Sequence, residues 1–192
     1  MLYKSDDLQE TIKKISSEQE YRPTGVAVIK NYEGNLLCVK SKKGSWHLPQ
    51  GGIEPGEEML MSAFRELSEE LSINPYLELN NLEISPLYTL SETPGRLRNG
   101  FKRGKSYFFI TGDYTGLQVF TPQPDELTRI EWRTPERVIR DHMIRGSHEK
   151  AGVLEELVNK PGPLVFPNFN RASYVPEEDI QEIIYSKTNP YG

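Results

Sequence analysis

The stretch from Gly51 to Ile73, GGIEPGEEMLMSAFRELSEELSI, constrains this chain more than any other. Two glycines and Pro55-Gly56 make a loop that can bend sharply and bring bare backbone close to a ligand. Glu57 and Glu58 suit a first helical turn, where carboxylates complement exposed N–H groups. From Met59 to Leu71 the residues favour helix, and Leu60, Ala63, Phe64, Leu67 and Leu71 recur at three- and four-residue steps as a core-facing stripe. Glu66, Glu69 and Glu70 gather on a neighbouring stripe. Three carboxylates that close repel one another unless something positive sits among them. A hard divalent cation answers that need, because carboxylate oxygens are what magnesium and calcium take.

Composition narrows the functions available. At 192 residues the chain suits one well-buried domain with terminal additions. A formal charge of −5 argues against broad, backbone-driven binding of long nucleic acids, though not against gripping one phosphorylated end. Cys38 is the only cysteine, which excludes an internal disulfide, and its place in Leu36-Leu37-Cys38-Val39 marks it as core. No apolar run is long enough to span a membrane, and MLYKSDDLQETIKK has no leader pattern, so the expectation is a cytoplasmic protein without a membrane partner. A Ser-His-Asp nucleophile pattern is absent. Three acids on one helix are also not the two facing carboxylates of a glycosidase.

Along the chain, residues 5–20 predict a short helix, to which no chemistry is assigned. Gly25 to Lys30 and Leu36 to Ser41 predict strands joined by a hairpin that delivers the chain to Trp46 and the glycine loop. Pro75 is expected to stop any helical continuation. Strands are expected at Ile84 to Glu92, Lys105 to Thr111, Val119-Phe120 and Ile130 to Arg133, with a turn at Gly112 to Gly116. Thr134-Pro135-Glu136 reads as a helix start, and a further helix is expected over His148 to Asn159. Residues 161–174 are rich in Pro and Asn, and Pro176 to Tyr185 has helical spacing. His142 and His148 are expected on helix surfaces, and His47 tied to backbone. Lys42 and Lys43 lie just before the glycine loop. Arg96, Arg98, Lys102, Arg103 and Lys105 crowd one loop and the strand after it, as a clamp for a negative substrate would. Tyr107 or Tyr114 could stack on a base.

The Gly51–Ile73 stretch closely resembles the signature of the Nudix hydrolases. Gly51, Glu57, Arg65, Glu66, Leu67, Glu69, Glu70 and Ile73 fall on it in register, and Ser72 stands where the family has glycine. The resemblance covers roughly residues 20–160. It implies an α/β fold, a Nudix-type α/β/α sandwich with a mixed sheet. Extra helices at both termini would divide the chain into an N-terminal extension (1–20), a Nudix domain (21–160) and a C-terminal extension (161–192). It also implies Mg²⁺, with Mn²⁺ as an alternative, held by Glu66, Glu69, Glu70 and the Gly51 carbonyl. Arg65 would orient Glu69, and Glu57 would brace the loop or the arginine.

Tyr21-Arg22-Pro23, Trp46-His47-Leu48-Pro49-Gln50-Gly51-Gly52-Ile53 and Pro124-Asp125-Glu126-Leu127 before Trp132 resemble the bacterial RNA 5′-pyrophosphohydrolase and diadenosine tetraphosphate hydrolase branch. That match implies Arg22 as a phosphate contact and Glu126 as a further metal ligand or base; Lys42, Lys43, Lys105 and Tyr107 are candidate substrate contacts. The substrate implied is a dinucleoside polyphosphate or a 5′-triphosphorylated RNA end. The alternatives are a nucleoside triphosphate or nucleotide-sugar (ADP-ribose-like) pyrophosphatase, and a Nudix-fold nucleotide sensor without turnover.

Overall fold

The structure, a computed structural model, describes residues 2–92, 101, 103–116, 120–122, 125 and 127–159. In chain order the elements are β1 (Leu2–Lys4), α1 (Leu8–Glu18), β2 (Tyr21–Lys30), β3 (Leu36–Ser41), β4 (Trp46–His47), β5 (Gln50–Gly52), α2 (Met59–Leu71), α3 (Pro75–Glu78), β6 (Leu79–Glu92), β7 (Gly104–Tyr114), β8 (Leu127–Arg133), α4 (Pro135–Ile144) and α5 (His148–Asn159).

The sheet grows from the apolar run in β2. Val26, Ala27, Val28 and Ile29 are all almost fully buried, the mark of a strand covered on both faces. Alternation sends Val26 and Val28 into a core with Leu36, Cys38, Phe109 and α5 residues Val153, Leu154 and Leu157. Ala27 and Ile29 go the other way, to Leu37, Val39 and α2 residues Leu67 and Leu71. Two helical layers therefore enclose a mixed sheet. Truncating Leu67 to alanine would leave a cavity there and cost about 2–5 kcal/mol.

Strand order in the sheet is β1-β6-β7-β2-β3-β4, with β5 also on β2 and β8 also on β3. The β2–β7 pair is parallel and runs from Tyr21↔Gly104 to Lys30↔Asp113. The other pairs are antiparallel. Along β2 the partner changes: Thr24, Gly25 and Val26 face Gly52, Gly51 and Gln50 of β5, while Lys30 faces Leu36 of β3. That switch places the glycine loop beside the middle of the sheet.

Helix α2 ends where the sequence stretch ends. Ser72 takes the left-handed conformation at φ 56°, and its N–H reaches the carbonyls of Leu67 and Ser68. Serine thus fills the glycine position of the signature and pays a steric cost there. Pro75 does stand beyond the end of α2, but it also opens a helix of its own, α3, capped by Asn74, whose side chain accepts from Tyr76 N–H.

Three expectations need correction. Gly112, Asp113 and Tyr114 continue β7 instead of turning, because β6 begins early, at Leu79, and pairs with Tyr114. His142 is buried, since it follows Val138 by one helical turn on the packed face of α4. Phe120 lies in irregular backbone and packs on Tyr114 and Trp132. Val119, Arg96, Arg98, Lys102, Glu126 and the whole of 160–192 lie outside the described residues. No helix among the described residues is long and apolar enough to cross a membrane.

Candidate active site

Strand β5 presents two glycines to two opposite charges. Gly51, paired with Gly25, faces α2, and a Cβ there would overlap the Glu66 carboxylate. Gly52, one residue on and so turned to the other face, would strike the Arg22 guanidinium with a Cβ. Only bare backbone lets an anion and a cation close on consecutive residues in this way.

Arg65 ties the loop to the helix. Its Nε donates to Glu57 Oε1 at 3.0 Å, Nη1 to Glu66 Oε1 at 2.7 Å, and Nη2 to the Gly52 carbonyl at 2.9 Å. The contact to Glu69, one turn on, is longer at 3.4 Å. Arg65 therefore orients Glu66 and Glu57 more than Glu69. Hydrogen bonding to Glu57, opposed by burial and helped by Glu66, raises its already high pKa. Glu57 also contacts the loop, its Oε2 accepting from the Glu54 N–H at 2.9 Å.

The acidic stripe is graded by depth. Glu70 is 5% exposed, the Glu66 side chain 16% and the Glu69 side chain 57%, so Glu69 is the carboxylate open to solvent. Among the described residues, no three His, Cys, Asp or Glu side chains enclose a metal position by themselves. The donor set still suits a hard cation: carboxylate oxygens stand beside a glycine whose missing Cβ leaves them room. Magnesium in particular keeps waters and shares itself with substrate phosphates instead of demanding a full protein cage.

The remaining candidates scatter. Lys42 and Lys43 sit exposed at the tip of the β3–β4 hairpin, which Ser41 Oγ and Ser45 Oγ close at 2.9 Å. Arg103 pairs with Glu20 and Glu92 of the chain itself. Tyr114 is core, with its hydroxyl 3.3 Å from Glu78 Oε1. Lys105 and Tyr107 alternate with Phe108 and share the face of Phe109, the α5 side, away from α2. There the Lys150 ammonium lies 3.7 Å over the Tyr107 ring and donates to Gln50 Oε1 at 2.6 Å.

Lys150, the cation at the centre of this cluster, escaped the sequence reading. Lys150 is buried at the head of a stripe with Leu154 and Leu157. Burial first, then the charges of Lys105 and Arg145, push its amine down to about 7. Buried His142 is pushed down to about 3 by burial, and its Nε2 has no hydrogen-bond partner among the described residues. His47 Nδ1 lies 3.0 Å from the Leu48 carbonyl, the backbone tie expected for it. The available signal was a lysine at i of an i, i+4, i+7 apolar stripe.

A family model for the NUDIX domain matches residues 20–157. This chain belongs to the Nudix family. The RNA pyrophosphohydrolase of Novosphingobium aromaticivorans is 32% identical over 129 residues, spanning 62% of this chain and 80% of that protein. That of Erythrobacter litoralis is 30% identical over 131 residues, with the same coverage of 62% and 80%. Two solved Nudix-type folds superpose on it. A C. elegans Ap4A hydrolase has a TM-score of 0.55 at 20% identity, covering 71% of this chain and 94% of that one. An E. coli dihydroneopterin triphosphate pyrophosphohydrolase has a TM-score of 0.57 at 20% identity, covering 72% and 97%. The α/β/α sandwich is thus the Nudix fold, and the chain is a hydrolase of pyrophosphate bonds. Nudix enzymes generally use divalent metals.

Proposed function

We propose that this Nudix hydrolase is a Mg²⁺-dependent pyrophosphohydrolase of a 5′-triphosphorylated RNA end or a dinucleoside polyphosphate, acting in the cytoplasm. The observation that carries the reading is the closure of Glu66 on Gly51 beside Arg65, which gathers hard oxygen donors at a bare backbone. The name RNA pyrophosphohydrolase borne by the sequence relatives supports the substrate class.

Glu66, Glu69, Glu70 and the Gly51 carbonyl would hold the metal. When bound, divalent ions neutralise the diphosphate and polarise its phosphoryl oxygens. Arg65 holds Glu66 directly and, through the Gly52 carbonyl, the strand that carries Gly51. Glu69, the carboxylate open to solvent, would act as the general base that takes the proton of an attacking water. Water adds to phosphorus, the anhydride P–O bond breaks, and the leaving phosphate departs with that electron pair. Arg22, across Gly52, offers a guanidinium fork to phosphate oxygens.

The test combines turnover with Mg²⁺ titration for Glu66→Gln and Glu69→Gln. Both nearly isosteric variants should fold and lose turnover by about 100-fold or more. Both should also raise the Mg²⁺ requirement, because both carboxylates belong to the proposed metal site. Wild-type turnover in both variants would refute the site.

A further inference from the structure

Helix α1 precedes the family-matched segment and yet forms part of a cavity next to the glycine loop. The cavity holds about 500 Å³ between α1, the start of β2 and the β5–α2 loop. Ile12, Ile53 and Phe101 are among its lining residues, with the cations Lys13 and Arg22 and the acids Glu54 and Glu57. Gln9 joins the two sides, because its Nε2 donates to the Glu57 carbonyl at 3.3 Å. Among the described residues, no carboxylate forms an ion pair with Lys13 or Arg22.

We infer that this α1 cavity binds the nucleoside of the substrate, with base and ribose against Ile12, Ile53 and Phe101 and the first phosphate between Lys13 and Arg22. The inference rests on the proposed function for the phosphate half of the ligand. Its physical ground is the match of chemistries: Phe101 and the apolar wall suit a base face, while Lys13 and Arg22, which pair with no described carboxylate, line the same space as Glu54 and as Glu57, the latter already held by Arg65. A cavity of this size lies within the usual range for small-molecule sites. Arg22 connects the two regions, since it lines the cavity and also packs on Gly52. Helix α1 would then be what this chain adds to the shared Nudix frame to choose a substrate.

The experiment measures binding of a non-hydrolysable, methylene-bridged diadenosine tetraphosphate to the full chain by calorimetry. Lys13→Glu reverses a cation in the cavity, Ser16→Trp fills it, and Lys14→Glu makes the same charge change at a residue outside its lining. Lys13→Glu and Ser16→Trp should each weaken binding by about tenfold or more, and Lys14→Glu by less than twofold. Wild-type affinity in Lys13→Glu, or equal losses in Lys13→Glu and Lys14→Glu, would overturn the inference, as would no binding to the wild-type chain. Should Ser16→Trp fail to fold, the two exposed lysine variants decide. Turnover of the hydrolysable compound by the wild-type chain is recorded separately, so a failed cavity and a failed pyrophosphohydrolase reading give different results.

Discussion

Glu66 lies so close over the bare Cα of Gly51 that a methyl group there would overlap its carboxylate. Gly51→Ala should therefore fold, because α2 keeps its apolar stripe, but should displace Glu66. The expected outcome is a fall in turnover of about 100-fold with a raised Mg²⁺ requirement, read by steady-state kinetics across a metal titration.

Arg65 makes bonds to Glu57, Glu66 and the Gly52 carbonyl that only a planar fork can make together. Arg65→Lys keeps the charge and loses that geometry. Stability should drop by about 1–2 kcal/mol in urea denaturation. Turnover should drop about tenfold or more, with KM much less affected.

Ser72 holds φ 56° at the end of α2. Ser72→Gly relieves that conformation, and part of the gain is offset by the freer unfolded chain. The net should be a stabilisation of about 0.5–1 kcal/mol, seen as a higher urea midpoint with unchanged activity.

Lys150 is a base whose amine is pushed from 10.5 down to about 7. Between those values the unfolded chain keeps a proton that the folded chain has released, so this group makes stability rise as pH increases from about 7 to 10.5. Lys150→Met has no amine to titrate. The variant should be more stable than wild type by about 1 kcal/mol at pH 6–7. That advantage should shrink steadily toward pH 10. Urea midpoints of the two chains across this range provide the measurement.

Much of the fold could be read from local periodicity. Helix α2 was legible because Leu60, Ala63, Phe64, Leu67 and Leu71 repeat with its pitch, and α5 runs over the residues expected of it. Strand ends were less legible because partners set them: Asp113 and Tyr114 look like turn residues until Asn80 and Leu79 pair with them. Burial of single polar side chains was also hidden. His142 and Lys150 are drawn inside by neighbours distant in sequence, which no local pattern reports. At the site, the sequence spacing revealed the acids and Arg65 but not their different depths. Nor did it show that Gly51 and Gly52 face opposite charges, since that depends on the pairing of β5 with β2.

The parallel ladder between β2 and β7 has a kinetic corollary. Tyr21 cannot meet Gly104 until nearly everything between them has been synthesised. A ribosome-bound fragment ending before Gly104 therefore holds every acid of the helix and the β2–β5 pairing, but leaves the other edge of β2 without its parallel partner. Such a fragment should gain catalytic competence only after the eleven residues of β7 have emerged and closed this long-range ladder.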